Sequence, residues 1–240
     1  MGAKKVIMIV GAAGGMGKAI AHLAARNAAG LALLARDAGA LDALCHEVSA
    51  ENPGLQVIGI ITNAADPAAI IHAVQQALLA FGRIDTLINA VGLNITNRAL
   101  DKLTHASWNE MVSANLDAAF HLTQAIVPVM RGQKGGLIIH IASIAARKPD
   151  MSGLAYQATK AGVVALAYAT MEEERANGIR VTSILPGMTN TPLLNKRSIP
   201  VSEAARLAAL QPAHIAATCA YVMALDDRVH VSEILLQPAT

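Results

Sequence analysis

Aromatic side chains are scarce in this chain: two phenylalanines, three tyrosines and one tryptophan, 2% of 240 residues. With so few rings, the interior must be packed by aliphatic and small side chains. Charge is scarce too, with 15% Asp, Glu, Lys and Arg and a formal net charge of +2. That balance excludes the broad basic field on which nucleic-acid and anionic-membrane binding depend. There are only two cysteines, Cys45 and Cys219, far apart and both in helical patterns. They read as reduced thiols, not as a disulfide framework. No apolar run reaches the roughly 18 residues of a membrane span. The best stretch, 161–171, is bounded by Lys160 and Glu172. The start "MGAKKVIMIVGAAGG" imitates a signal peptide, but glycines follow Val10 too soon for an apolar signal core. Val6 stands where N-myristoylation wants Ser or Thr. Together these absences predict a cytoplasmic protein with no membrane or nucleic-acid partner.

What the chain has is aliphatic residue, 54% hydrophobic in all. Short β-branched runs at 6–10, 31–35, 56–61, 86–89, 137–141, 180–185 and 234–236 alternate with helical patterns. The helices are expected over 17–27, 39–51, 67–81, 108–130, 156–176 and 213–224. Strands apolar on both faces, separated by helices with one polar side, predict an α/β fold. The expected architecture is a Rossmann-like, doubly wound parallel sheet of about seven strands with helices on both faces. Asp66-Pro67 marks a helix start, and Pro128 is expected to kink or end the long helix. No repeat or linker divides residues 1–240, so one domain is expected. The segment 188–210, "MTNTPLLNKRSIPVSEAARLAAL", carries Pro192 and Pro200 and leaves from a strand end. Such an excursion is expected to form a substrate lid.

Two short motifs carry chemistry. "GAAGGMG" follows the first strand and opens the first helix, with Gly11, Gly15, Met16 and Gly17. Glycines here allow a tight turn and let the backbone and a helix N-terminus approach a pyrophosphate. The spacing is G-x-x-x-G-x-G, not the commoner G-x-G-x-x-G. The second motif is "AYQATKAG", where Tyr156 and Lys160 stand one helical turn apart on one face. Alone, the pair reads either as a packed ring with a snorkelling lysine or as a proton-transfer couple. The eight histidines show no H-x-x-x-H spacing or acidic cluster, so no metal site is expected. His140 reads as a satisfied core residue, and Arg147 and Lys148 as solvated loop charge.

In order and spacing, "GAAGGMG", "FGRIDTLINAVG", Asn115, Ser143, "YQATK" and "LPGMTNT" resemble the short-chain dehydrogenase/reductase family. The resemblance implies an enzyme, a catalytic dinucleotide-binding domain over 1–240. It implies that Asn115, Ser143, Tyr156 and Lys160 form the active site. Tyr156 would be the acid/base, Lys160 would lower its pKa together with oxidised nicotinamide and hold the nicotinamide ribose, and Ser143 would bind the substrate oxygen. Asn115 would anchor a water leading from Lys160 to solvent, or else be a polar residue that bends its helix. Cofactor contacts carry over to Gly11, Gly15, Met16, Gly17, Asn63, Asn89, Pro186, Gly187 and Thr191. Ala90 and Val91 depart from the family's N-N-A-G segment. At the end of the second strand, "LALLARD", Ala35 replaces the carboxylate of NAD enzymes and Arg36 follows. This predicts NADP(H) as the preferred cofactor; Asp37 keeps NAD(H) open.

The implied reaction moves a hydride between nicotinamide and a small carbonyl or alcohol. The tail lacks the V-D-G-G ending of many 3-oxoacyl carrier-protein reductases, which weakens that alternative. A non-catalytic dinucleotide sensor would need no Ser143, Tyr156 or Lys160. A homo-oligomer, tetramer or dimer, is expected from small and apolar residues on the helices 108–130 and 156–176. Those residues are Ala118, Ala119, Val163, Ala167 and Thr170.

Overall fold

The computed structural model describes residues 4–239. The first three residues of the stretch weighed as a signal peptide therefore lie outside the described residues. Seven strands form one fully parallel sheet in the order β3-β2-β1-β4-β5-β6-β7. They are β1 (Lys5–Val10), β2 (Ala28–Ala35), β3 (Gln56–Ile61), β4 (Thr86–Asn89), β5 (Gly136–Ile141), β6 (Ile179–Pro186) and β7 (Glu233–Leu236). The helices are α1 (Gly15–Ala25), α2 (Ala38–Glu51), α3 (Pro67–Phe81), α4 (His105–Val112), α5 (Ala118–Gln133), α6 (Leu154–Glu174), α7 (Glu203–Ala208) and α8 (Pro212–Ala224). Helices α1, α2 and α8 bury one face of the sheet, and α3, α5 and α6 the other. This two-sided cover is why the central strands are apolar on both faces. The order reverses direction between β1 and β4, and a crevice opens there at the strands' carboxyl ends.

Local chemistry sets the helix starts. Asp37 caps α2 by accepting from Ala40 N at 2.9 Å. Asp66 accepts from the amides of Ala68 and Ala69 ahead of α3, with Pro67 in the first turn, as expected. Thr104 and Ser107 form a reciprocal capping box that starts α4 three residues earlier than the pattern at 108 suggested.

The long helix expected over 108–130 differs in two ways. A π-helical turn, Ser113–Asp117, separates α4 from α5. Pro128 does not end α5, which continues to Gln133. Proline removes one hydrogen bond, and burial of Val127 and Met130 against the sheet holds the last turns in place.

The small and apolar residues expected to mark an oligomer contact belong to the core of the single chain. Ala118, Ala119, Val163, Ala167 and Thr170 are all buried within the single chain. A helix packed against both the sheet and a neighbouring helix needs a wider apolar stripe than one core face suggests. The exposed apolar side chains of α5 and α6 are instead Phe120, Leu154 and Tyr168. No helix among the described residues is long and apolar enough to cross a membrane.

Candidate active site

The turn between β1 and α1 is built on close backbone approach. Gly11 has φ +78°, a conformation that glycine adopts freely. A Cβ on Gly17 would lie 2.1 Å from the Gly11 carbonyl oxygen, so no other residue fits there. A Cβ on Gly15 would meet Thr191 at 3.0–3.1 Å, which brings the start of the 188–210 segment directly over the loop. No side chain caps the N-terminus of α1, leaving its first amides for an anion.

Two clefts open from this turn. The larger, about 670 Å³, is lined by Gly11, Arg36, Asp37, Asn63 and the Ala90–Leu93 backbone, among others. Arg36 is exposed and makes no ion pair among the described residues, while Asp37 is committed to capping α2. Asn63 is exposed beside it and accepts from Ala65 N at 3.2 Å. The smaller cleft, about 80 Å³, is lined by Met16, Ser143, Tyr156, Pro186, Gly187 and Thr191 among others. Glycine-lined walls, an uncapped helix start and an unpaired arginine fit a dinucleotide running from the large cleft to the small one.

Beneath the clefts, three predicted residues are buried and fix the frame. Lys160 lies 2% exposed, and its Nζ donates to the carbonyls of Val91 at 3.2 Å and Ile141 at 3.0 Å. Asn115, in the π turn, accepts from Leu93 N at 2.7 Å. Its amide donates to Leu93 O at 3.0 Å and Thr159 Oγ1 at 3.2 Å. Both N–H groups of the amide are thus engaged. The side chain ties the loop after β4 to the helix that carries Tyr156. Asn89 accepts from Val91 N at 3.0 Å, which turns its amide nitrogen toward His140 Nδ1 at 3.2 Å. His140 Nδ1 must therefore accept, and Nε2 faces Thr123 Oγ1 at 3.3 Å. Burial, then the nearby Lys160, pulls the His140 pKa down to about 4. His140 is a neutral, hydrogen-bonded core residue.

Tyr156 is half-buried, with its solvent-facing side in the small cleft. Its ring centroid lies 5.9 Å from Lys160 Nζ. The expected lowering of its pKa is reversed in the chain by itself. Burial pushes the phenol up to about 12, and Asp150 adds to the rise. The neighbouring Ser143 hydroxyl and the Arg98 and Arg197 guanidiniums pull the other way. Lys160 cannot dominate, because its ammonium is engaged by carbonyls and burial pulls its own pKa down to about 8. Ser143 sits at the end of β5 and accepts from Ala145 N at 3.1 Å, which fixes its rotamer.

Arg147 does not reach either cleft. It pairs with Glu233 at 2.6 Å and lies 6.0 Å over the Tyr168 ring. Lys148 is exposed outside both clefts. Sequence reasoning missed Asn94, Arg98, Asp150 and Arg197, which also line the small cleft. Nothing in local spacing marks them, since they come from three separate loops. Among the described residues, no group of three or more His, Cys, Asp or Glu could hold a metal.

A model of the short chain dehydrogenase family matches residues 5–200. An uncharacterized oxidoreductase of Staphylococcus aureus is 30% identical over 98% of this chain and 97% of its own length. An alcohol dehydrogenase from the archaeon Thermococcus sibiricus, solved with 5-hydroxy-NADP, superimposes with a TM-score of 0.88. It shares 26% identity over 98% of this chain and 97% of that one. A metagenomic short-chain oxidoreductase solved with NADP has a TM-score of 0.84 and 29% identity, over 98% and 97% of the two chains. The sequence match across most of the chain and the shared seven-stranded architecture have one reading: this chain belongs to the short-chain dehydrogenase/reductase family of NAD(P)-dependent oxidoreductases.

Proposed function

We propose that this enzyme uses NADP(H) to interconvert a small carbonyl compound and its alcohol, with Tyr156 as the acid/base. The observation that carries the reading is convergence. Ser143 and Tyr156 face one small cleft, Lys160 lies beneath it, and the larger cleft meets it across the glycine turn. A bound nicotinamide supplies the hydride, two electrons that go to the carbonyl carbon. The phenol of Tyr156 gives its proton to the carbonyl oxygen, and the phenolate regains one from solvent. A phenol held protonated at neutral pH is the right starting form for reduction. In oxidation the same group must lose its proton first, and positive charge in the cleft favours that phenolate. Ser143 donates to the substrate oxygen and steadies the charge that develops there. Lys160, with two N–H groups held by backbone carbonyls, would offer the third to the nicotinamide ribose. Gly11, Gly15, Met16 and Gly17 take the pyrophosphate turn; Asn63 borders the adenosine side and Pro186, Gly187 and Thr191 the nicotinamide side, while Asn89 shapes the backbone at Val91 from beneath.

NADP(H) is favoured over NAD(H) because Arg36 is unpaired in the larger cleft while the Asp37 carboxylate is engaged as a cap. Two relatives solved with NADP or a derivative of it support this. An NAD(H) reading rests on Asp37, which lines the same cleft. Residues 188–210 act as the lid of one catalytic domain: their ends are joined by a bridge between Thr189 and Leu210, and Arg206 ties Asn190 to Asn195. We place the enzyme as a homo-oligomer, a dimer or tetramer, working on a small molecule.

The test is Tyr156→Phe, which keeps ring volume and removes the proton. Turnover of carbonyl substrates should fall by on the order of a hundredfold or more with cofactor binding retained. A variant that turns over near the wild-type rate would remove Tyr156 from the mechanism.

A further inference from the structure

The small cleft holds charge that the proton chemistry does not use. Arg98, on the loop after β4, and Arg197, within the 188–210 segment, line it beside Ser143 and Tyr156. Both are half-buried, and among the described residues neither has a carboxylate oxygen within 4.0 Å. Arg98 Nη2 donates to the Lys196 carbonyl, but its Nε is buried with no hydrogen-bond partner among the described residues. The one acid in the cleft is already engaged: Asp150 accepts from Ser152 N at 2.8 Å and from Ser152 Oγ at 3.0 Å. The stem of Arg98 is set by packing, since a Cβ on Gly153 would lie 2.7 Å from Arg98 Cβ. Gly153 directly precedes the helix that presents Tyr156.

Two guanidiniums this close in a partly dry cleft repel each other, and a buried N–H without an acceptor is costly. Burial, then Arg197, pulls the Arg98 pKa below its usual range, while Asp150 offsets part of this. A ligand that supplied negative charge between the two guanidiniums would relieve that repulsion. The cleft also holds Ser143 and Tyr156, so the anion belongs to the reacting molecule. Two arginines less one aspartate leave a formal charge of +1 in the cleft lining. A carboxylate matches that charge and the flat guanidinium fork; a phosphate ester is larger and doubly charged.

We propose that the substrate is a small oxo acid or hydroxy acid whose carboxylate is held by Arg98 and Arg197 while its reacting oxygen faces Ser143 and Tyr156. The identity of the reacting oxygen rests on the function proposed above; the anion site does not. Met188, Leu193 and Leu194 supply the apolar wall against which a short carbon chain would lie.

Two measurements separate the anion site from the reaction. In the first, thermal unfolding of the full chain with NADP+ is followed at matched ionic strength with butyrate, butyramide or methyl phosphate. Butyrate should raise Tm of the wild type more than the other two, and the gain should vanish in Arg98→Gln and Arg197→Gln. In the second, oxo acids and hydroxy acids of three to six carbons are compared with their methyl esters by kcat/KM. Acids should be preferred by on the order of ten- to a hundredfold, carried mainly by KM, and that preference should collapse toward unity in each variant. Equal shifts with butyrate and butyramide, a larger shift with methyl phosphate, a butyrate shift that survives in both variants, or esters used as well as acids would overturn the proposal. If no carbonyl or alcohol is turned over but the arginine-dependent butyrate shift remains, the anion site stands and the reaction assigned to it falls. Should Arg98→Gln fail to fold through loss of its bond to Lys196, Arg197→Gln decides alone.

Discussion

At Arg36 the proposed choice between two cofactors that differ by a single phosphate rests on one side chain. Its guanidinium is exposed in the larger cleft at the end of β2, and the carboxylate next to it caps a helix. A 2′-phosphate there would gain charge-assisted hydrogen bonds with little competition. Arg36→Ala should lower kcat/KM for NADPH by on the order of ten- to a hundredfold and leave NADH nearly unaffected. A wild type that prefers NADH, or an alanine variant that keeps its NADPH preference, would take the role from Arg36. The same scale explains Tyr156. Spacing on a helix puts a phenol near an ammonium, but burial fixes the direction of the pKa shift, and here burial wins.

Elements carry the site because they meet at fixed distances. The β1–α1 turn works only if α1 can start against the Gly11 carbonyl. Gly17→Ala would push a methyl group into that oxygen, so the loop and helix must separate. We expect a loss of about 1–3 kcal/mol of stability in chemical denaturation, with NADPH binding weakened well beyond that of a control. The control is Gly132→Ala in α5, where a Cβ meets nothing within 4 Å. That substitution should be neutral or stabilising by up to about 1 kcal/mol. Equal behaviour of the two variants would show that the turn tolerates a side chain. The π turn between α4 and α5 is a second case. It lets Asn115 hold Leu93 and Thr159 at once, joining the loop after β4 to α6.

For the whole molecule, the question is what covers the exposed faces of α5 and α6. Phe120 is 46% exposed, Leu154 44% and Tyr168 39%, so two of the six aromatic side chains lie exposed on these helices. Exposed apolar side chains along two packed helices are the ground for the proposed self-association. Sedimentation at micromolar concentration should give a dimer or tetramer mass, and Phe120→Ser with Tyr168→Ser should shift it toward the monomer. A monomeric wild type would end the argument.

Periodicity placed all seven strands and six of the eight helices, because strand and helix patterns depend on neighbours within a turn or two. The glycine turn, the Asp66-Pro67 start and the Tyr156–Lys160 pair were legible for the same reason: each is a local geometry written in adjacent residues. Helix boundaries near Thr104 and Pro128 were less so, since capping and core packing overrode the simple pattern. The small apolar residues of α5 and α6 could not be assigned to core or surface until their neighbours were in place. Arg98 and Arg197 lie ninety-nine positions apart and meet only because the loop after β4 and the segment after β6 end at the same crevice. Sequence by itself determined most of the elements, the family and the spacing that sets Tyr156 one helical turn from Lys160. Tertiary structure decided burial, and with it the upward shift of the Tyr156 pKa, the engagement of Asn115 and the placing of two arginines in one cleft. Desolvation and contacts between distant residues come into being only when the chain closes on itself.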